Sequence, residues 1–196
     1  MRKLIFSINV SLDGFADHTV AIADDELHDF FTDQLGAIDT VLFGRVTYQL
    51  FEDYWPHASD DPQATKSMIA FANKINAMPK IVFSRTLQNV HWNNAKLFKG
   101  NMVEEVQKMK QENGKSLSIG GISAIQTFMK LKMVDEFWLL VHPVIAGKGR
   151  HLFDGVNERR DLKLVDTKAF HSGVVALHYQ LQRWSRMSTN NSSLIG

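Results

Sequence analysis

Apolar residues follow two different periods along this chain. Short runs rich in β-branched and aromatic residues alternate with longer segments in which apolar residues recur at helical spacing. The short runs predict β-strands at 3–10, 40–44, 80–84, 116–121 and 135–145. The longer segments predict helices between Asp24 and Gly36, and at 45–55, 63–77, 103–113 and 123–133.

The end of the chain has a different pattern. Two further strands, 162–170 and 174–183, are separated by the short segment HSG and predict a hairpin. Strand–helix alternation followed by a hairpin is typical of an α/β protein. We therefore expect a mostly parallel central sheet with an antiparallel C-terminal hairpin, and right-handed crossovers should place helices on both faces.

The same pattern predicts a single domain. No segment rich in Pro, Gly or Ser divides the chain, so we assign residues 1–184 to one domain. The polar segment 185–196 has no sustained period, which predicts a mobile tail. The start, MRKLIFSINVSLDGF, fits a strand better than a signal peptide, because Asp13 interrupts the apolar run. No apolar run reaches the roughly 18 residues of a membrane helix, so we expect a cytoplasmic protein.

Charge and composition narrow the classes of function. The 196 residues include 22 basic and 21 acidic ones and have a formal net charge of +1, so we expect neither nucleic acid nor membrane as a partner. The absence of cysteine excludes disulfides, thiolate zinc sites and iron–sulfur clusters. Asp24-Asp25 is better explained as a helix N-terminus than as a metal site. We expect no metal, and a small molecule as the substrate.

Glycine, arginine and hydroxyl side chains follow the predicted strands at the sheet edge where open α/β sheets bind ligands. The pairs after the second, third and fourth strands are Gly44-Arg45, Ser84-Arg85 and Gly120-Gly121. Glycine lets a ligand approach the backbone, helix N-termini present N–H groups to anions, and arginine matches phosphate. This combination favours a ligand with several phosphates, such as a dinucleotide. For each glycine taken alone, a simple turn remains the alternative.

The standard nucleotide-binding motifs are absent. GKGRHL at 147–152 has no third glycine and does not open a helix after a first strand, so it is not a dinucleotide fingerprint. NGKS lacks the upstream glycine of a phosphate loop, and no Gly-x-Ser-x-Gly elbow occurs. The dinucleotide hypothesis therefore depends on where the glycines and arginines lie in the sheet.

An ordered set of segments resembles a known family. The segments are SLDGFAD, TVLFGRVTYQLF, KIVFSRTL, LSIGG and VDEFWLLVHPVIAGKGRHLF. Together they resemble the dihydrofolate reductase-like family, in the branch of the riboflavin-biosynthesis reductase domain (the RibD C-terminal domain), over about residues 2–183. The resemblance implies a three-layer dihydrofolate reductase-like fold with NADPH across the carboxyl edge of the sheet.

The resemblance also assigns residues to the cofactor. They are Gly44, Arg45, Thr47, Ser84, Arg85, Gly120, Gly121, Ser123 and Ala124. Ser84 and Arg85 would hold the adenosine 2′-phosphate, and the glycine pair would face the pyrophosphate. In this fold the bond between the two glycines is commonly cis, which is testable because a cis bond that lacks proline is rare.

The substrate side departs from true dihydrofolate reductases, which carry a carboxylate on the first helix. Here no acid aligns on the corresponding face. Asp13 is the candidate catalytic residue, with a turn residue before Gly14 as the equal alternative. Trp55 and His142 are candidate substrate contacts, although a packed core histidine is the alternative for His142. Glu136 begins its strand, so we expect it at the opposite edge with a structural role.

The leading hypothesis is an NADPH-dependent oxidoreductase. It resembles the 5-amino-6-(5-phosphoribosylamino)uracil reductase domain, and the resemblance implies hydride transfer to a small heterocyclic or ribosylamine substrate. Two alternatives stay open: a true dihydrofolate reductase, and a non-catalytic nucleotide-binding dimer module. The resemblance also implies a homodimer, and the apolar segment FWLLVHPVIAG (137–147) is one candidate for its interface.

Overall fold

The computed structural model describes residues 1–16, 19 and 21–182. Within these residues, the strands are β1 Leu4–Ser11, β2 Ile38–Gly44, β3 Lys80–Phe83, β4 Ala95–Phe98, β5 Ser116–Gly120, β6 Glu136–His142, β7 Leu162–Ala169 and β8 Val175–Leu181. The helices are α1 Asp25–Leu35, α2 Arg45–Glu52, α3 Lys66–Ala77, α4 Met102–Gln111 and α5 Ile122–Lys130, with a 3-10 helix at Trp55–Asp60. The predicted tail at 185–196 lies outside the described residues.

The strands form one sheet in the order β4-β3-β2-β5-β1-β6-β8-β7. Neighbours from β4 to β6 are parallel, whereas β8 is antiparallel to both β6 and β7. This arrangement confirms the predicted α/β sheet with a closing hairpin. Because parallel strands end at the same edge, the segments after β1, β2, β3, β5 and β6 meet there.

Alternating side chains build a core on each face of the sheet. In β1, Leu4 and Phe6 pack with α4 and α5, whereas Ile5 packs on the opposite face with Leu27 and Phe30 of α1. A third cluster joins β2 and β3 to α2 and α3. Helices therefore cover both faces, as the sequence predicts, and the apolar strands of the parallel part are buried on both sides.

Two elements differ from the sequence-based expectation. The strand β4 is not predicted, because it is only four residues long and lies half-buried at the edge of the sheet. The predicted helix 45–55 is interrupted: α2 ends at Glu52 and a separate 3-10 helix begins at Trp55. Pro56 is the cause we assign to the break, since proline cannot continue an α-helix.

The expected cis bond between Gly120 and Gly121 is not found, because every peptide bond of the described residues is trans. The chain instead turns through Gly121, whose φ is +111°. Glycine adopts such a positive φ without the steric penalty that a Cβ atom would bring. The glycine is therefore needed for the turn itself, and a cis peptide is not.

Residues 137–142 of the apolar segment proposed for an interface belong to β6, which lies inside the sheet. β6 pairs with β1 on one side and with β8 on the other, so its backbone has no open edge. Phe137, Trp138 and Leu140 are buried in the core. The homodimer stays a prediction. Separately, none of the helices in the described part of the chain combines the length and apolar character that crossing a membrane requires.

Candidate functional site

A cavity of about 900 Å³ lies at the carboxyl edge of the parallel strands. Its volume is near the upper end of the range for small-molecule sites, about 300–1,000 Å³. We call one end the glycine end, and its defining residues are Gly44, Arg45, Thr47, Gly121, Ser123 and Arg150. We call the other end the aromatic end, and its defining residues are Leu27, His28, Phe31, Trp55, Phe71 and Ile75.

The helices that begin at the glycine end have no side-chain cap. Gly44 precedes α2 and Gly121 precedes α5, so neither helix receives a hydrogen bond from its N-cap side chain. The helices α1, α3 and α4 are capped by Asp24, Thr65 and Asn101. The uncapped ends therefore direct backbone N–H groups and the positive end of the helix dipole at the cavity, which suits an anion.

Close packing between α2 and the β5–α5 turn gives the glycine pair a structural role as well. A Cβ atom on Gly121 would lie 3.0 Å from the hydroxyl oxygen of Thr47, and one on Gly120 would lie 3.3 Å from the Thr47 methyl carbon. A Cβ on Gly44 would meet no atom within 4 Å. The turn and the close contact with Thr47 therefore explain why residues 120 and 121 are glycines. No packing contact explains the glycine at position 44.

Two guanidinium groups flank these helix ends. The Arg45 side chain donates to Gln49 at 3.0 Å, and the Arg150 side chain donates to the Ser123 hydroxyl at 3.2 Å. Within the described residues, neither arginine forms an ion pair with a carboxylate. Both therefore keep charge and donors for a ligand such as phosphate.

Aromatic side chains form the opposite wall. The ring centroids of Trp55 and Phe71 are 4.6 Å apart in an edge-to-face contact, and Phe51 lies 6.3 Å from Trp55. His28 from α1 completes the group, with its ring edge-on to Trp55. Such a wall offers flat apolar surface to a planar ring.

The carboxylates of α1 do not line this cavity. Asp25 accepts hydrogen bonds from Ser67 and Thr65, which lower its pKa. Glu26 accepts from the backbone and the ring of His171 outside the cavity. The described lining of the cavity therefore contains no carboxylate of α1.

A buried histidine orients an amide at the cavity wall. The backbone N–H of Ile22 donates to Nδ1 of His142 at 3.1 Å, so this nitrogen must be the acceptor. The ring proton therefore lies on Nε2, which donates to Oδ1 of Asn9 at 3.0 Å. Burial lowers the pKa of His142, which agrees with a neutral ring. Asn9 lines the cavity, and its Nδ2 has no partner among the described residues.

Asp13 has contacts that explain it without a substrate. Its carboxylate accepts hydrogen bonds from the Ser11 hydroxyl at 2.6 Å and from the backbone of Ala146 and Gly147 at 3.0 and 2.8 Å. These bonds, led by that from Ser11, lower the pKa of Asp13 to about 2. A carboxyl group this acidic is a poor proton donor at neutral pH. Asp13 is outside the cavity lining and ties the segment 142–150 to β1.

Ser84 and Arg85 also lie at the carboxyl edge but outside the lining. The Ser84 hydroxyl accepts hydrogen bonds from the backbone of Thr86 and Leu87, and Ser84 itself is buried. Arg85 is exposed beyond the end of β3. Their assignment to the 2′-phosphate stays a prediction, and the hydroxyl of Ser84 is already engaged within the turn.

The structure brings most of the predicted site residues together. The lining includes Gly44, Arg45, Thr47, Trp55, Gly120, Gly121, Ser123 and Ala124, but not Asp13, Ser84, Arg85 or His142. Sequence reasoning missed Asn9, His28 and Arg150. Arg150 follows the glycines of GKGR, yet no local pattern shows that this segment folds back on α5.

Comparisons with known proteins agree with this architecture. The family model of the RibD C-terminal domain matches residues 2–176. The uncharacterized protein YyaP of Bacillus subtilis (strain 168) is 41% identical over 182 residues, which cover 91% of this chain and 94% of that protein. The uncharacterized protein YwjB of the same organism is 30% identical over 187 residues, with 91% and 97% covered.

Solved structures show the same fold. A putative riboflavin biosynthesis protein from Shewanella sp. PV-4 has a TM-score of 0.69 at 20% identity, with 92% of this chain and 99% of that chain covered. A diaminohydroxyphosphoribosylaminopyrimidine deaminase/5-amino-6-(5-phosphoribosylamino)uracil reductase from Thermotoga maritima has a TM-score of 0.62 at 18% identity, with 92% and 57% covered. These likenesses show the dihydrofolate reductase-like fold of riboflavin-pathway reductases. With the family match across nearly the whole described chain, they lead to one conclusion: the chain belongs to the RibD C-terminal domain family.

Proposed function

We propose that this protein is an NADPH-dependent reductase that transfers hydride to a small uncharged ring. The observation that carries the proposal is the glycine end of the cavity. Two uncapped helix N-termini lie there beside two guanidinium groups that have no carboxylate partner among the described residues. Membership of the RibD C-terminal domain family, whose members are usually reductases, supports it. So does the structural likeness to a protein named as a deaminase and reductase.

The residues present fit a dinucleotide phosphate group. The N–H groups at the starts of α2 and α5 and the side chains of Arg45 and Arg150 would hold its charge. Gly44 leaves the wall open at the same place. When bound, NADPH supplies the hydride, and the protein contributes orientation and exclusion of water.

The aromatic end favours an uncharged ring over a phosphorylated sugar. Neither arginine of the lining belongs to this end, since Arg45 begins α2 and Arg150 contacts Ser123 of α5. The residues that define this end are apolar apart from His28. A sugar phosphate needs cationic partners, and the described residues of this wall do not provide them. Of the two predicted substrate classes, the heterocycle therefore fits better than the ribosylamine phosphate.

Asn9 gives the cavity a polar contact of defined direction. Because His142 holds Oδ1, the amide presents Nδ2 as a donor. A carbonyl oxygen or ring nitrogen of the substrate would accept this hydrogen bond. In this proposal His142 is a positioning residue that acts through Asn9, which refines its predicted role as a substrate contact.

The proposal is tested by NADPH consumption with a panel of pterins, pyrimidines, cyclic imines and carbonyl compounds. We expect turnover with an uncharged flat acceptor, and none when the acceptor is omitted. A true folate reductase would instead turn over dihydrofolate and be inhibited by methotrexate, which the lack of a cavity-facing acid on α1 argues against. Saturable NADPH binding without turnover on any member would favour the non-catalytic module and contradict the proposal.

A further inference from the structure

His28 has the geometry of a proton donor at the aromatic end. Its Nδ1 lies 2.8 Å from the backbone carbonyl oxygen of Asp24. A carbonyl oxygen only accepts, so Nδ1 must carry a proton in this contact. The other ring nitrogen, Nε2, has no partner among the described residues, and the side chain lines the cavity.

Aromatic contacts fix the plane of the ring. Its centroid lies 5.9 Å from Trp55 and 6.4 Å from Phe71, and both contacts are edge-to-face. These partners belong to the 3-10 helix and to α3, so uncharged groups face His28 from both neighbouring elements. The backbone hydrogen bond and the two rings together leave little freedom to the imidazole.

The charged group that interacts with His28 is Asp25 on the same helix. Hydrogen bonds from Ser67 and Thr65 lower the pKa of Asp25, and the charge of His28 lowers it further. Asp25 therefore remains ionised at neutral pH, and its negative charge lies on the same helix as the imidazole. Imidazole is the side chain best suited to deliver a proton near neutral pH.

We propose that His28 Nε2–H protonates the substrate during reduction, an inference that rests on the proposed function. The ring carbon of a C=N bond accepts a hydride, and its two electrons, from a reduced nicotinamide, which is oxidised. The ring nitrogen accepts the proton of Nε2, so the double bond becomes a C–H and an N–H bond. Neutral imidazole remains and regains its proton from water.

A matched pair of probes distinguishes proton transfer from hydride transfer. Dihydroisoquinoline is a flat cyclic imine that needs a hydride and a proton, whereas its N-methyl iminium cation needs only the hydride. The experiment compares their reduction by NADPH in the wild type and in His28→Gln, with His28→Phe as a second variant that keeps the aromatic packing. His57→Gln is the control, since His57 lies on the neighbouring 3-10 helix with 77% of its side chain exposed.

We expect His28→Gln to slow imine reduction by about 100-fold or more, the range of general acid catalysis, and to leave the cation unaffected. Equal slowing of both probes, or of neither, would overturn the proton-donor role. Failure of the wild type to bind NADPH, or to reduce any acceptor of the panel once NADPH is bound, would contradict the proposed function itself. Reduction of another acceptor but of neither probe would overturn the proposed protonation of a C=N bond by His28 alone.

The ring geometry has a test that needs no turnover. In NMR spectra at alkaline pH, the neutral His28 ring should be the Nδ1–H tautomer, and His142 should be the Nε2–H tautomer. A predominantly Nε2–H ring at His28 would show that Nδ1 does not donate to Asp24 and would contradict the proposed orientation. His28→Gln identifies the resonances.

Discussion

The two edges of the sheet use charge in opposite ways. At the amino edge, Arg2 pairs with Asp39, and Lys110 pairs with Asp135. At the carboxyl edge, Arg45 and Arg150 have no carboxylate partner in the described part of the chain. The paired charges join strands and helices to one another, whereas the unpaired ones face a cavity.

The comparison separates residues that stabilise the fold from residues available to a ligand. Glu136 shows the first kind: at the start of β6 it accepts from Lys3, Gln180 and His178, as the sequence-based interpretation expected of a structural residue. A buried charge without a partner destabilises the fold. A charge at a cavity is hydrated until a ligand binds, so it needs no partner within the protein. Substitutions at the amino edge should therefore lower the stability of the fold, whereas substitutions at the carboxyl edge should weaken ligand binding.

The largest effect is expected at the amino edge. Lys110→Met removes an ammonium group that donates to Asp135 and to the Met133 carbonyl, and only 7% of its side chain is exposed. Losing one partner of a buried pair costs about 3–5 kcal/mol of unfolding free energy. Denaturant unfolding should show this loss, while NADPH affinity stays unchanged. Lys108→Met, exposed on the same helix, is the control.

A smaller loss of stability is expected at Gly121. Gly121→Ala places a Cβ at φ +111° and 3.0 Å from the Thr47 hydroxyl, which should cost about 1–3 kcal/mol of unfolding free energy. Gly44→Ala is the matched variant, because φ is −77° there and the new Cβ meets open space. It should leave thermal stability unchanged but weaken NADPH binding. Equal stability of the two variants would show that the turn is not strained by a side chain.

The arginines should affect binding and leave stability unchanged. Arg45→Gln and Arg150→Gln each remove a charge from the glycine end, and we expect each to weaken NADPH affinity about tenfold, or about 1.4 kcal/mol. Fluorescence titration measures the change, and thermal unfolding should show no shift. Lys148→Gln, an exposed change in the same segment as Arg150, is the control. Loss of affinity in the control alone would place the phosphate contact elsewhere.

The smallest effect concerns pH. Burial lowers the pKa of His142 in the folded state, so protonation favours the unfolded chain. The stability contributed by the neutral ring is present above the unfolded pKa, about 6.5, and is lost as the pH falls below it. The melting temperature of the wild type should therefore fall more steeply below about pH 6.5 than that of His142→Gln. Parallel curves would show that His142 is not held neutral.

The sequence predicts the fold well because its periods reflect burial. β1 has an apolar residue at every second position from Leu4 to Val10, the centre of β6 is apolar on both faces, and α1 has apolar residues at helical spacing, so their types follow from pattern alone. β4 gives no such signal, since a short, half-buried edge strand needs little hydrophobicity. The prediction of a cis bond between Gly120 and Gly121 is wrong for a different reason. The positive φ of Gly121 makes the turn with a trans bond.

The site is only partly predictable. The positions of Gly44 and Gly121 at the cavity are predictable because a strand–helix junction is a local feature. Asp13 follows a strand too, but three hydrogen bonds to the turn and to 146–147 occupy its carboxylate, and the local sequence does not predict these contacts. The sequence does not indicate that His28 lines the cavity, since a polar residue in an amphipathic helix is usually solvated.

The most direct test of the contrast between the two edges is titration of the purified protein with NADPH, followed by cofactor fluorescence. Saturable binding below millimolar concentration is expected, weakened by Arg45→Gln and Arg150→Gln and unchanged by Lys110→Met under conditions where that variant is folded. Absence of saturable binding by the folded wild type up to millimolar NADPH, or equal affinity in the wild type and both arginine variants, would contradict the assignment of the carboxyl edge to a phosphate-bearing cofactor.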